Sequence, residues 1–159
     1  MGGLVAMMVA ASYDAIACIA LAPSMPAQKI NHAIELRAGE FTSEVYDIIS
    51  TNPEEQPAMP DLDYDERLIA LASLCSESNY ARSERKRGIL IEYLPCPLLI
   101  VTGSQDKYWP KERYNDLWLA ADSIEIEGSS HWGLVLNKRV LSLAVKKVLT
   151  WIKNNVAIS

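Results

Sequence analysis

The amino-acid sequence predicts an α/β protein in which parallel strands are flanked by helices and interrupted by a helical insertion. Two runs carry most of that prediction, because Ala15–Leu21 and Pro97–Gly103 are almost continuously apolar and of strand length. Such runs are typical of parallel strands that are covered by helices on both faces. The segments around them alternate between strand and helix patterns, which favours a parallel sheet.

The N-terminal segment is predicted to form a buried helix followed by a buried strand. Gly2–Ala11 is small and apolar on most sides, as in a helix packed inside a larger protein. Ser12–Asp14 divides the apolar residues into runs of about ten and nine, against the ~20 that a membrane span needs. Before Lys29 there is no Lys or Arg, so the basic start of a signal peptide is missing. We therefore expect no membrane span and no secretion signal.

The section over 25–93 has a different character and is predicted to be a helical insertion. Charged and polar residues dominate it, and helical periodicity is moderate at Phe41–Ser50 and at Asp65–Cys75. Three prolines between 53 and 60 predict a loop between those two helices. The chain thus divides into 1–24, 25–93 and 94–159. The inner face of the second helix is predicted to consist of Leu68, Leu71, Ala72 and Cys75.

After residue 94 the sequence again alternates between strand patterns and helix patterns. Leu98–Thr102 is predicted to be a buried strand that ends at Gly103, and Ser123–Glu127 a second, shorter strand. Pro110 suits the first turn of a helix between them. That helix is predicted to turn Tyr114, Leu117, Trp118 and Ala121 inward. The last helix is predicted over Lys138–Asn154, with Leu141, Val145, Val148 and Ile152 on its inner stripe.

Composition and charge exclude several classes of function. The chain has 159 residues, 50% of them apolar and 22% charged, with a net charge of −5. This acidic balance argues against nucleic-acid binding, which calls for basic surface. Three cysteines (Cys18, Cys75 and Cys96) and two histidines show no metal-ligand spacing, so we expect neither a metal nor another cofactor. An odd number of scattered thiols predicts a reducing, cytoplasmic setting.

Two side chains of complementary chemistry follow two successive strands. Asp106 comes shortly after Gly103, and His131 follows Ser123–Glu127. Because parallel neighbours lie ~5 Å apart and end at the same edge of a sheet, we expect the two side chains to meet. A carboxylate that accepts a bond from one imidazole nitrogen frees the other nitrogen to take a proton from a nucleophile. A single Asp or His in such a place is more often a turn cap or a surface loop residue. The hypothesis of an acid–base site therefore depends on the two residues occurring together.

The segments that hold this pair resemble the acid and histidine segments of the α/β-hydrolase superfamily. They read GSQDKYWP over 103–110 and GSSHWG over 128–133, and they stand in the family's chain order of acid before histidine. The resemblance implies the C-terminal half of an α/β-hydrolase fold, with the section over 25–93 as its cap. It also implies Asp106 as the catalytic acid and His131 as the general base.

The same resemblance places the nucleophile one residue before Met1. Met1-Gly2-Gly3 matches the residues that follow the nucleophile in the elbow pattern G-x-S-x-G. The backbone N–H of Met1 would then be an oxyanion donor, worth roughly 3–4 kcal/mol of transition-state stabilisation. Within the chain, no serine or cysteine has the surroundings to replace that nucleophile. The 159 residues by themselves are therefore expected to be inactive.

The activity that the resemblance implies is hydrolysis of a small carboxylic ester or related acyl compound by a Ser–Asp–His triad. Family caps line the acyl pocket, which makes Met25, Phe41 and Trp132 the pocket candidates. Two alternatives remain open. The same fold can carry an Asp or Cys nucleophile, as in dehalogenase-like or thiol relatives. The chain can also be a non-catalytic binding module or an inactive remnant.

The strand at 15–21 is predicted to have an open edge. It is apolar and contains neither Lys nor Pro, the residues that commonly protect sheet edges from pairing with other chains. In the implied fold its inner neighbour is missing from these residues. We therefore expect this chain to form a homodimer through that edge, to aggregate, or to fold poorly.

Overall fold

A computed structural model describes residues 2–23, 27–30, 33–36, 59–75, 89–91, 94–114 and 121–156. The helices in this part of the chain are α1 (Gly2–Ser12), α2 (Tyr64–Cys75), α3 (Gly133–Leu136) and α4 (Lys138–Asn155), together with a 3₁₀ helix over Lys111–Tyr114. The strands are β1 (Cys18–Leu21), β2 (Ala27–Ile30), β3 (Ala33–Leu36), β4 (Ile89–Ile91), β5 (Leu98–Gly103) and β6 (Ala121–Ile126).

The predicted α/β arrangement is confirmed by a three-stranded parallel sheet in the order β1-β5-β6. The central strand, β5, is buried along all six residues. Its side chains alternate between two apolar clusters, since Leu98 and Ile100 pack with α1 and Leu99 and Val101 pack with α4. The two helices thus cover opposite faces of the sheet, which explains why the sequence of β5 is apolar at every core position.

The helical insertion predicted over 25–93 is wrong in part. The structure places an antiparallel sheet of β2, β3 and β4 in that section, besides the helix α2. β3 pairs with the adjacent strand β2 on one side and, on the other side, with β4, where Ile34 lies opposite Ile91 of a strand far along the chain. No local periodicity reveals such a partner. The helix predicted at Phe41–Ser50 lies outside the described residues.

The last helix begins where the sequence predicts, but it turns a different stripe toward the core. Val140, Ala144 and Trp151 are buried, whereas Leu141 and Val145 of the predicted inner stripe are exposed. Val148 and Ile152 are partly buried, as predicted. Two bonds to β6 fix this rotation. Trp151 Nε1 donates to Asp122 Oδ2 at 2.6 Å, and Lys147 Nζ donates to the Glu125 carbonyl at 3.1 Å.

Two smaller predictions are corrected by the structure. Pro110 is followed by a 3₁₀ helix that buries Tyr114, but Ala121 begins β6 instead of extending a helix. In α2, Leu68 is exposed, whereas Ala70 is buried. Positions 115–120 lie outside the described residues, as do the side chains of Leu71, Ala72 and Cys75. No helix in the described part of the chain is long and apolar enough to cross a membrane.

Cys18 is a buried thiol whose ionisation is expected to make folding pH-dependent. Burial, and to a smaller extent Cys96, raise its pKa from 9.0 to about 11. The unfolded chain loses this proton near the ordinary pKa, whereas the folded chain retains it until about pH 11. The free energy of unfolding should therefore fall by up to about 2–3 kcal/mol as the pH rises from about 9 to about 11.

Urea unfolding of the wild type and Cys18→Val across that pH range measures this effect. The valine variant keeps an apolar side chain of similar size and has no proton to lose, so its stability should decline less steeply. Equal slopes for the two proteins would show that Cys18 is not the group responsible.

Candidate active site

Asp106 lies in the turn that follows β5, with its carboxylate completely buried. Its backbone N–H donates to the Gly103 carbonyl at 3.1 Å, which brings the side chain back over the end of the strand. One carboxylate oxygen, Oδ1, accepts from the backbone N–H groups of Tyr108 at 2.9 Å and Trp109 at 2.8 Å. These bonds replace lost water contacts and fix the plane of the carboxylate.

The second carboxylate oxygen faces His131. Its Oδ2 atom lies 2.8 Å from Nδ1 of the imidazole, so the structure contains the contact expected between the ends of the two strands. Because a carboxylate only accepts, Nδ1 is the protonated nitrogen and Nε2 of the neutral ring is left as a proton acceptor. The imidazole is 19% exposed, whereas the carboxylate behind it is buried. The pair is therefore a buried acid that orients a base accessible from outside.

The two loops that carry Asp106 and His131 are bonded to each other. Ser104 N donates to the Ile126 carbonyl at 3.0 Å, and Gln105 N donates to the Ser129 carbonyl at 2.9 Å. In return, Gly128 N donates to Ser104 Oγ at 2.9 Å. These bonds continue the pairing of β5 and β6 beyond the sheet. The spacing between the carboxylate and the imidazole is thus set by backbone, which is stiffer than a side-chain contact.

The two serines before His131 are structural parts of its loop. Both are fully buried. Ser129 Oγ donates to the Ser130 carbonyl at 2.9 Å, and Ser130 Oγ accepts from Gly133 N at 3.2 Å. Neither hydroxyl is available to attack a substrate. Cys96 precedes β5 and so lies at the opposite end of the strand from Asp106.

Tyr108 is a neighbour of the pair that sequence reasoning missed. Its ring meets the imidazole of His131 edge-on at 5.7 Å and the indole of Trp132 at 4.8 Å. The indole also contacts the imidazole at 5.0 Å. Burial, and secondarily the charge of Asp106, raise the pKa of the Tyr108 phenol far above its usual range, so the ring stays neutral. Two aromatic rings, those of Tyr108 and Trp132, thus pack against the imidazole of His131 and restrict its movement.

A cleft of about 350 Å³ opens in front of His131. The N-terminal end of α1 borders it together with the C-terminal end of β1. Gly3 allows this approach, since a Cβ on it would come within 2.8 Å of the Leu21 carbonyl oxygen. Ala22, the residue directly after β1, has a strained φ of 37°. The lining residues are Gly2, Gly3, Ile19, Leu21, Ala22, His131, Trp132, Leu134 and Val135.

The remaining predicted site residues divide into two groups. Trp132 lies where a pocket residue is expected, on the cleft and against His131. Met1, Met25 and Phe41 lie outside the described residues. In the part of the chain that the structure describes, no three His, Cys, Asp or Glu side chains are grouped so that they could hold a metal ion.

No protein-family model, curated protein or solved structure matches the chain. The site therefore has to be interpreted from its own geometry. That geometry defines an α/β protein with a carboxylate–imidazole pair at the C-terminal edge of its parallel sheet, beside a mostly apolar cleft.

Proposed function

We propose that Asp106 and His131 are the acid and base of a serine-hydrolase-type α/β hydrolase that cleaves small carboxylic esters or related acyl compounds. The 2.8 Å bond between His131 Nδ1 and Asp106 Oδ2 carries this proposal. The other oxygen, Asp106 Oδ1, already accepts hydrogen bonds from two backbone N–H groups. Oδ2 is therefore the oxygen that orients the imidazole. The family resemblance of the two surrounding segments supports the same chemistry.

In this mechanism Nε2 of His131 removes the proton of an attacking hydroxyl while that oxygen bonds to the acyl carbon. The imidazolium is stabilised by the buried carboxylate of Asp106 and then protonates the departing alcohol. Water attacks the acyl-enzyme in the second half, again losing its proton to Nε2. The acid is released, and both the hydroxyl and the neutral imidazole are restored. In both halves of the reaction, the transferred proton is thus accepted and then released by Nε2 of His131.

The nucleophile belongs, in this proposal, at the N-terminal end of α1, next to Met1. Gly2 and Gly3 border the same cleft as His131, which supports a nucleophile at this end of the helix. The start of a helix also offers free backbone N–H groups and a partial positive charge. Both favour the oxyanion that forms when an acyl carbon is attacked.

The cleft lining favours an uncharged substrate with a short apolar acyl group. Apart from His131, the described residues that line the cleft are glycines or have aliphatic or aromatic side chains, so none of them carries a fixed charge that could pair with a charged substrate. In this proposal, residues over 25–93 form a cap beside the acyl group. We place the enzyme in the cytoplasm, in keeping with the free thiols of Cys18 and Cys96.

A serine added before Met1 tests the proposal. The full chain extended by Gly-Asn-Ser should react with a fluorophosphonate and release p-nitrophenol from p-nitrophenyl acetate. The matched extension Gly-Asn-Ala should do neither. In the serine form, His131→Ala should lower both rates by at least about 100-fold, because the general base is gone.

The same measurements can contradict the proposal. A serine form that is folded by circular dichroism but shows no more labelling than the alanine form would argue against this site. Labelling that survives His131→Ala unchanged would do so as well, because the serine would then react without the base.

A further inference from the structure

Residues 59–62, which we call the brace, pack against the chain that follows His131. Two side chains of the brace are buried and form an apolar cluster with one residue of α2. Two residues of the histidine side pack against this cluster, and the first of them comes directly after His131. Apolar burial therefore joins the brace to the chain around the candidate base. The cluster comprises Met59, Leu62 and Ala70, and the residues packed against it are Trp132 and Leu136.

Asp61 shows how closely the brace approaches the start of α3. A Cβ on Gly133 would overlap the Asp61 carboxylate, so only a glycine leaves room for it. In the described part of the chain, both oxygens of this carboxylate are buried and neither has a hydrogen-bond partner. Burial of an unpaired carboxylate opposes this position of the brace. The brace therefore depends on its other contacts.

Asn137 provides such a contact. Its Nδ2 atom donates to the Asp61 carbonyl at 2.5 Å. Its Oδ1 atom accepts from Arg139 N at 3.0 Å and Val140 N at 3.2 Å, which caps the start of α4. Its backbone N–H donates to the Gly133 carbonyl at 3.2 Å. One residue thus joins the brace to both α3 and α4.

Trp132 connects the brace to the imidazole. Its indole ring meets the imidazole of His131 with 5.0 Å between the ring centroids, and the same residue packs against the apolar cluster of the brace. The carboxylate of Asp106 holds Nδ1, whereas the part of the ring that carries Nε2 is confined by its neighbours. Movement of the brace away from Trp132 would therefore leave the imidazole less confined.

We propose that Asn137 is a positioning residue for His131, which acts by holding the brace against Trp132. The bond from Asn137 to Asp61 opposes the unfavourable burial of the Asp61 carboxylate, so loss of the bond should release the brace. A displacement of about 1 Å at a reacting group can slow a reaction about 100-fold. The use of this coupling in catalysis rests on the proposed function, whereas the coupling itself does not.

Asn137→Asp tests the proposal in the full chain. A carboxylate at this position still caps α4, but it has no N–H to donate to the Asp61 carbonyl. The Nδ1 proton of His131, followed by NMR, should then exchange with solvent at least about tenfold faster than in the wild type. The reason is that a less confined imidazole separates more often from Asp106.

Two further variants separate the brace from the rest of α4. Asn155→Asp is the matched control, because it removes a bond of the same kind, from Nδ2 to the Trp151 carbonyl, at the opposite end of the helix. It should leave the exchange of the His131 proton unchanged. Leu62→Ala loosens the brace without altering Asn137, and it should accelerate the exchange as well. Circular dichroism confirms that each variant is folded.

The serine-extended chain gives a second measurement. Asn137→Asp should lower kcat for p-nitrophenyl acetate about tenfold, because the base is less well positioned. The KM should stay unchanged, because neither Asn137 nor the brace is among the described residues that line the cleft. A loss of folded protein alone would lower the measured rate without altering the exchange of the His131 proton in the folded molecules.

Three results would overturn the proposal. Unchanged exchange in both Asn137→Asp and Leu62→Ala would show that the brace does not confine the imidazole. Equal acceleration by Asn155→Asp would assign the effect to a general loosening of α4. An acceleration by Asn137→Asp that is just as large in a Trp132→Leu background would exclude Trp132 as the link. If the serine-extended chain is inactive while the exchange changes as expected, the proposed function fails and the coupling stands.

Discussion

Asp106→Asn is expected to lower ester hydrolysis by the serine-extended chain about 10⁴-fold while leaving the fold intact. The carboxylate is acceptor-only, and its two oxygens have different tasks. Oδ1 accepts from the Tyr108 and Trp109 backbone N–H groups, and Oδ2 accepts from His131. An asparagine at this position has one oxygen and one NH₂ group to fill the same two places.

The backbone contacts decide which way that amide turns. Two N–H donors point at the Oδ1 position, so the amide oxygen of asparagine should occupy it. The NH₂ group then faces His131, and Nδ1 has to become an acceptor. The proton moves to Nε2, which can no longer take a proton from the nucleophile. The imidazole is expected to stay in place with the wrong nitrogen protonated, so the loss is in rate and not in folding.

Nitrogen NMR of the imidazole measures this change directly, beside the hydrolysis rate. The wild type should show a protonated Nδ1, and Asp106→Asn a protonated Nε2. Asp14→Asn removes one exposed carboxylate far along the chain and serves as the control, with neither signal nor rate altered. If Asp106→Asn leaves the tautomer unchanged, the structure of the pair is wrong. If the tautomer changes and the rate does not, the proposed role of the pair is wrong.

The contact between Asp106 and His131 was predictable because it depends on features that sequence shows well. The apolar run before Gly103 predicts a buried strand, the segment Ser123–Glu127 predicts a second and shorter one, and parallel strands end at one edge of a sheet. Asp106 and His131, which follow the two strands closely, are therefore confined to the same edge of the sheet. The loops after the two strands are short and bonded to each other through their backbones, so the side chains that they carry meet at 2.8 Å.

The position of Tyr108 and the rotation of α4 were not predictable in the same way. Tyr108 follows Asp106 in an irregular turn, where no periodicity tells which side chains point inward. In α4, apolar residues extend over more of the helix surface than the sheet covers. The bond from Trp151 to Asp122 selects which of them are buried. Since that bond joins distant residues, the helical pattern cannot show it.

Gly103→Ala is expected to destabilise the fold by about 3 kcal/mol or more and to separate Asp106 from His131. Gly103 ends β5 in a buried position, directly against the loop that carries His131. A Cβ at this residue would stand 2.2 Å from the Ser129 carbonyl oxygen and 2.8 Å from its carbonyl carbon. Both are backbone atoms, so the clash cannot be relieved by rotating a side chain.

Relief of that clash requires the histidine loop to move away from the end of β5. The bond from Gln105 N to the Ser129 carbonyl would be stretched first, because it involves the same carbonyl group. Asp106 is held to the β5 side through the Gly103 carbonyl, whereas His131 moves with its own loop. The imidazole should therefore lose the carboxylate even in molecules that remain folded.

Gly128→Ala provides the matched comparison within the same loop. A Cβ at Gly128 meets no atom within 4 Å, but its φ of 72° makes a side chain unfavourable by about 1 kcal/mol. Urea unfolding should thus rank wild type above Gly128→Ala and Gly128→Ala above Gly103→Ala. Nitrogen NMR should show His131 bonded to Asp106 in the first two proteins and released in the third. A Gly103→Ala protein as stable as Gly128→Ala, with the pair intact, would mean that the loop does not pack against β5 as the structure has it.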